Sequence, residues 1–382
     1  MIFSVSNKGG RGLRPGVFPI LGMLCFPLAG WAGAIGTEIK LPARDAVVLS
    51  VKETAAATAA SAVLPVALRS PDRLAKELRG LIDLSRTTGS PRPLGLAVGL
   101  LNQLPQDRWT PDVYLMRATI HQRLHRFDQA EADLARVLKA QPDNRQAWLT
   151  RYSIAMVRND LVAAELACNK LAQPRPGLLS ASCTQELASL GAQPRQAYDL
   201  LRQRLDVSGS AGAIERDYAL ITLAEMASRL GLPEADGYWQ RGLLQAPDDL
   251  YRRARYADWL LAQGRPAEVL VITDGFNEID TLAVLRAIAL TRLDDPQQPG
   301  LVSELDERFR EARWRGENLH HWEYARFLLD VKGDADAALE MALANWETQR
   351  AHPDRELLIR AAARAGKSPN FAVELRDGES TL

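Results

Sequence analysis

A 34-residue offset constrains this chain more than any other feature. Tyr114 and Trp148 stand 34 apart, as do Leu115 and Leu149, Arg117 and Arg151, Phe127 and Leu161, Ala130 and Ala164, and Pro142 and Pro176. A fixed period of this length marks a stacked repeat, in which one short supersecondary unit recurs along the chain. Each unit reads as two helices. PDVYLMRATIHQRLH and FDQAEADLARVLKAQ form one pair, RQAWLTRYSIAMVRN and LVAAELACNKLAQ the next. Two antiparallel helices come close only where side chains are small. Ala118 and Ala130, twelve residues apart, serve that crossing. Pro142 cannot continue a helix and turns the chain into the next unit.

These residues resemble the tetratricopeptide repeat. That family has an aromatic early in its first helix, a small residue four later, an alanine opening the second helix and a closing proline. Residues 111–144 match through Tyr114, Ala118, Ala130, Leu134 and Pro142; residues 145–177 match through Trp148, Ala164 and Pro176. Tyr152 stands where the family has a small residue, which puts the close crossing of that unit in question. Weaker copies follow. One carries Ala224, Gly231, Ala235, Trp239 and Pro247; a 33-residue shift then takes Ala224 to Ala257 and Gly231 to Gly264. Near the end Ala325 and Ala337 are again twelve apart. Residues 71–104, 177–206 and 280–316 are more degenerate but still read as helix pairs.

The resemblance covers roughly residues 71–366. It implies an all-α fold: a right-handed α-solenoid of antiparallel helix pairs, at least seven here, above the minimum of about three that stacking needs. It also implies a protein-binding role for the face made by the first helices. PDRELLIRAAARAG is expected to cap the array, and residues 367–382 to form a polar tail. The secretory pattern described next, with GSPRPLGLA, RFDQAEADLARVL and a cysteine in each of two consecutive units, is similar to a set of exported bacterial tetratricopeptide-repeat proteins.

Ahead of the array lies a targeting pattern. Lys8, Arg11 and Arg14 precede the apolar run VFPILGMLCFPLAG, and Ala32-Gly33-Ala34 follows. Charge, apolar core and small residues in that order describe a secretory signal, cleaved after Ala34. The alternative is an uncleaved anchor over residues 15–36, the only way the membrane would enter as a partner. Cys25 lacks the small neighbour that a lipoprotein cysteine needs. Residues 35–70, small and weakly patterned, read as a linker or docked arm. The expected location is therefore the periplasm or the exterior.

Charge excludes some functions. Lys+Arg and Asp+Glu are 47 each. A nucleic-acid binder would be basic, so no nucleic-acid partner is expected. Three cysteines are too few for a four-cysteine zinc site. His121 and His125 share a helix face as in zinc metalloproteases, but Gln122 replaces the glutamate that would act as base, and no third ligand is evident. His320-His321 reads as a helix start. Gly366-Lys367-Ser368 has Ala361 where a phosphate-binding loop needs glycine, and a helix where it needs a strand. Asp248-Asp249 and Asp294-Asp295 suit turns and helix starts, where they oppose the helix dipole. Tryptophans at 148, 239, 259, 322 and 346 recur at repeat positions, which points to packing. No enzyme activity, cofactor, metal or small-molecule substrate is expected.

Two expectations concern sites. Cys168 lies in the second helix of one unit and Cys183 in the first helix of the next, neighbours in a solenoid. An oxidising compartment would join them; the alternative is two separately buried thiols. In the tetratricopeptide family the groove can carry a two-lysine, two-asparagine clamp for a partner's C-terminal carboxylate. Here the corresponding face offers Leu115, Thr119 and Gln122, then Leu149, Ser153 and Met156, with neither lysine nor asparagine. That surface suits an extended or helical segment of an envelope protein. The expected role is a binding scaffold. An assembly factor for polysaccharide export or secretion, and more remotely a regulatory subunit of an enzyme, are the alternatives.

Overall fold

The computed structural model describes residues 70–209, 211–316 and 321–367. The expectations for residues 1–34, for nearly all of the 35–70 arm and for the tail lie outside them. Seventeen α-helices and no strands occupy the described residues. They follow one another as eight pairs and a final single helix: α1 Pro71–Thr88 with α2 Arg92–Leu101, α3 Pro111–Arg123 with α4 Phe127–Ala140, α5 Arg145–Arg158 with α6 Leu161–Leu171, and α7 Leu178–Ala188 with α8 Pro194–Val207. Then come α9 Ala213–Arg229 with α10 Glu234–Gln245, α11 Leu250–Ala262 with α12 Pro266–Ile272, α13 Asp280–Arg292 with α14 Gln298–Trp314, α15 His321–Phe327 with α16 Ala335–Trp346, and α17 His352–Arg364. None of these helices is long and apolar enough to cross a membrane.

Local chemistry sets the boundaries. Ser70 accepts from the Arg73 N–H at the start of α1, Asn144 from Ala147 before α5, Asp160 from Ala163 before α6, and Asp249 from Arg252 before α11. Each side chain satisfies an N–H that the first helical turn leaves unpaired. Left-handed residues stop several helices: Gly89 at φ 68° ends α1 and Asn159 at φ 59° ends α5. The degenerate segments form pairs as well, α1/α2, α7/α8 and α13/α14.

Packing follows the repeat. Ala118 and Ala130 are both 0% exposed, so the α3/α4 crossing leaves no room for a larger side chain. In the next unit Tyr152 is buried, and its hydroxyl donates to Glu186 on α7 at 2.8 Å. The bulk is thus turned onto the following unit, while α5 and α6 still pack directly. The repeated arginines also have a structural part. Arg117 on α3 grips Asp133 of α4 with two bonds of 2.7 and 2.6 Å, and Arg151 on α5 reaches Glu131 of α4 at 2.7 Å. The helix between them is clamped from both sides.

Odd-numbered helices contact the next odd-numbered helix along most of the array. Apolar clusters run through it in sequence: one from α1 to α5, one around Tyr152, Cys168 and Cys183, a large one from α7 to α15, and one over α15–α17. The array also folds back on itself. α1 touches α11, where Arg86 and Asp249 stand 3.7 Å apart. At the other end the Arg350 N–H donates to the Val157 carbonyl of α5 at 2.6 Å.

Candidate functional site

Side chains of α7, α9, α11 and α17 come together in an interior between these helices. α9 presents Tyr218, Thr222, Glu225 and Arg229 at positions i, i+4, i+7 and i+11, one stripe of a helix. α11 presents Tyr251, Arg255 and Asp258 at the same spacing, 33 residues after Tyr218, Thr222 and Glu225. Glu186 comes from α7, and His352, Glu356 and Arg360 from α17.

These side chains form a linked polar surface. Tyr152 donates to Glu186, Tyr251 to Glu225, and Arg229 to the Ser189 hydroxyl at 2.8 Å. Arg255 lies 3.9 Å from Glu225 and 3.6 Å from Asp258. From Asp258 the pairing continues to Arg326 at 2.9 Å, from Arg326 to Asp330 at 2.8 Å, and from Asp330 to Arg360. Charges alternate along this ladder, so α11, α15 and α17 are tied together without a net field. Arg326 and Asp330 are nearly sealed from solvent, at 8% and 7%. A pair that dry requires its partners in place.

Burial, then the nearby Glu225, push the Glu186 carboxyl up to about 7; Tyr152 and Arg229 pull it the other way. Burial and the same two glutamates raise the Tyr218 phenol well above its ordinary range. Tyr251 is raised by surrounding protein and by Glu225, yet 55% of its surface stays open to solvent. Against the cost of burial, Arg326 and Arg255 hold Asp258 below the usual carboxylate range. On α17, burial lowers the His352 imidazole; Glu356 opposes that, and Arg229 and Arg255 add to it.

The six residues expected to line the groove lie on α3 and α5. Leu115 is 5% exposed and belongs to the core cluster of α1–α5. The Thr119 hydroxyl donates to the Leu115 carbonyl at 2.9 Å and the Ser153 hydroxyl to that of Leu149 at 3.0 Å. Leu149 and Met156 are half-buried against the cluster around Cys168 and Cys183, which Tyr218 joins from α9. Gln122 is half-buried. Cys168 and Cys183 stand at disulfide distance, with Cα atoms 5.7 Å apart, and join α6 to α7.

The tyrosine–acid–arginine surface was not singled out from the sequence. Its signal was present: the 33-residue shift that pairs Ala224 with Ala257 also pairs Tyr218 with Tyr251 and Glu225 with Asp258. Among the described residues, no three His, Cys, Asp or Glu side chains are placed to hold a metal ion. His125, at φ 55°, lies just past the end of α3.

No protein-family model matches this chain, and no curated protein matches it. A solved structure, the tetratricopeptide-repeat domain of P58(IPK), is similar at 15% identity over 78% of this chain and 98% of that one, with a TM-score of 0.22. An overlap that weak says nothing about a shared course or shared partners.

Proposed function

We propose that this protein is a non-catalytic interaction scaffold of the cell envelope, exported by its N-terminal segment, whose helix pairs form a right-handed superhelix. An extended or helical segment of a partner protein binds along the interior made by the odd-numbered helices. The observation that carries this reading is the tyrosine–acid–arginine surface of α9 and α11, on which Tyr251 keeps 55% of its surface open to solvent and donates to Glu225. Tyrosines supply large contact area at little cost in side-chain freedom and are enriched at recognition surfaces. The disulfide-distance cysteines fit an oxidising compartment.

Glu225, Arg255, Asp258, Arg326, Asp330 and Arg360 are already paired with one another, so a partner would be held chiefly by tyrosine faces, apolar anchors such as Met156 and hydrogen bonds. Binding is therefore expected to depend weakly on salt. The test is a pull-down from envelope extracts, followed by titration of the captured partner at low and high salt against Tyr251→Ala and Met156→Asp. Both variants should weaken binding tenfold or more, about 1.4 kcal/mol each. Unchanged affinity in both, or binding abolished by moderate salt, refutes the interior as the site.

A further inference from the structure

Neighbouring units adhere through apolar clusters, whereas the contacts that fold the array back are small: an ion pair, a short apolar touch and one backbone bond. At the N-terminal side they comprise the Arg86–Asp249 pair at 3.7 Å, with Arg86 55% exposed, and an apolar touch at Gly89. A Cβ on Gly89 would fall 2.6 Å from the Ile279 Cδ1 and 3.2 Å from the Leu250 Cδ1. The end of α1 therefore nests between the start of α11 and the loop before α13 because residue 89 has no side chain. At the C-terminal side, the Arg350–Val157 bond closes a cleft of about 240 Å³ lined by His125, Asp128, Arg158 and Glu347 among others. An ion pair this exposed contributes little, and one backbone bond contributes modestly.

We propose that these two contacts are latches: the array opens and closes at them as a spring, and opening is what admits a partner to the interior. This rests on the scaffold reading, with the interior as the binding face. Stacks of helix pairs bend by small rotations summed over many interfaces, so the apolar clusters between neighbours survive while the ends part. The ladder from Asp258 to Arg360 keeps α17 with α11, so when the C-terminal latch releases they part together from α5, and the interior opens on the side of α5.

Small-angle X-ray scattering of the full chain tests this without a partner, so its failure leaves the scaffold reading standing. Failure of the Tyr251 titration, conversely, leaves the latches untouched. Arg86→Glu with Leu250→Glu sets three carboxylates against one another at the first latch. Arg350→Pro removes the N–H donor of the second. Each change should raise the radius of gyration, and all three together should raise it most, with the 222 nm ellipticity unchanged. An unaltered radius of gyration in the triple variant overturns the proposal. So does expansion accompanied by loss of ellipticity, because the contacts would then belong to the folded core.

Discussion

The helices α1–α6 and α7–α17 are built from the same unit, yet they place their polar side chains differently. In the first region polar pairs bind a helix to its neighbours: Arg117 and Arg151 clamp α4 through Asp133 and Glu131. In the second, pairs of that kind persist, with Arg308 of α14 on Asp280 of α13 and Tyr256 of α11 on Asp236 of α10, but a further set of polar side chains gathers away from them, in the Tyr251–Glu225–Arg255 group and the ladder from Asp258 to Arg360. Close crossing by small residues persists in both; Ala224 and Ala235 are as fully buried as Ala118 and Ala130. The shared pattern thus specifies packing, and the departures from it specify the surface that could select a partner.

The sharpest way to break this comparison is to cut into the core of each region. Trp239 is 1% exposed, lies in the large cluster from α7 to α15, and donates its ring N–H to Ser228 at 2.9 Å. Trp239→Ala is expected to cost about 3–5 kcal/mol, and Leu134→Ala about 2–5 kcal/mol. Their denaturation curves should also differ in form. Leu134 lies near one end, where a weakened unit can unravel ahead of the rest as an early transition. Trp239 lies mid-array, so its loss should shift the main transition. Two curves of the same form would remove the distinction between the regions.

The Cys168–Cys183 pair joins the regions at α6 and α7, 15 residues apart in sequence. Closing a loop of that size contributes about 3 kcal/mol in the chain-entropy description. Cys168→Ser with Cys183→Ser should lose that amount, and reductant should lower the wild-type stability to match. Free thiols at both positions, mapped in denaturant without reductant, would remove the covalent joint and leave packing alone to hold the regions together.

Much of the fold was legible because the signal came from sterics. Observed helix ends at Arg123, Ala140 and Arg158 fall within two residues of those read from periodicity, and the degenerate stretches still formed pairs. The interior surface was less legible. The groove reading used the two clearest units, whose six chosen side chains are apolar or uncharged polar, and one of these, Leu115, is spent on the core. Glu186, Glu225 and Arg255 acquire their character from proximity across helices 30 or more residues apart, which no local pattern records. The folding-back at Gly89 and Arg350 depends on accumulated curvature, a property of the whole stack.

Titration separates the regions by a smaller effect. Glu186 keeps its proton up to about 7 in the folded protein, whereas the unfolded chain loses it near the ordinary glutamate value. The folded state binds the extra proton between those values, so stability falls as pH rises through that window. The loss should be on the order of 1–3 kcal/mol. Glu186→Gln should flatten most of this slope, leaving a residue from Asp354, which burial raises to about 6. Asp258, held low, acts in a separate window: its contribution is present above the ordinary aspartate value and is lost on strong acidification. Equal pH slopes in wild type and Glu186→Gln, followed by denaturant midpoints from pH 4.5 to 8, would show that the interior acids do not interact.

The smallest expected effect lies at Arg145–Glu215, a 2.9 Å pair that runs from α5 in the first region to α9 in the second. Arg145 is 52% exposed and Glu215 26% exposed, so water screens the attraction and ordering two long side chains offsets much of it. A double-mutant cycle through Arg145→Met and Glu215→Gln should give a coupling of about 0–1 kcal/mol. That coupling should fade at high ionic strength, where the Debye length drops to roughly 3 Å. Surface charge would then have little part in holding the regions together, a task left to the apolar clusters and the α6–α7 joint. A coupling of about 2 kcal/mol or more that persists in salt would mean the reverse. The two regions would then be fastened by polar contacts across their odd-numbered helices, and a division between packing pattern and polar interior would no longer describe the molecule.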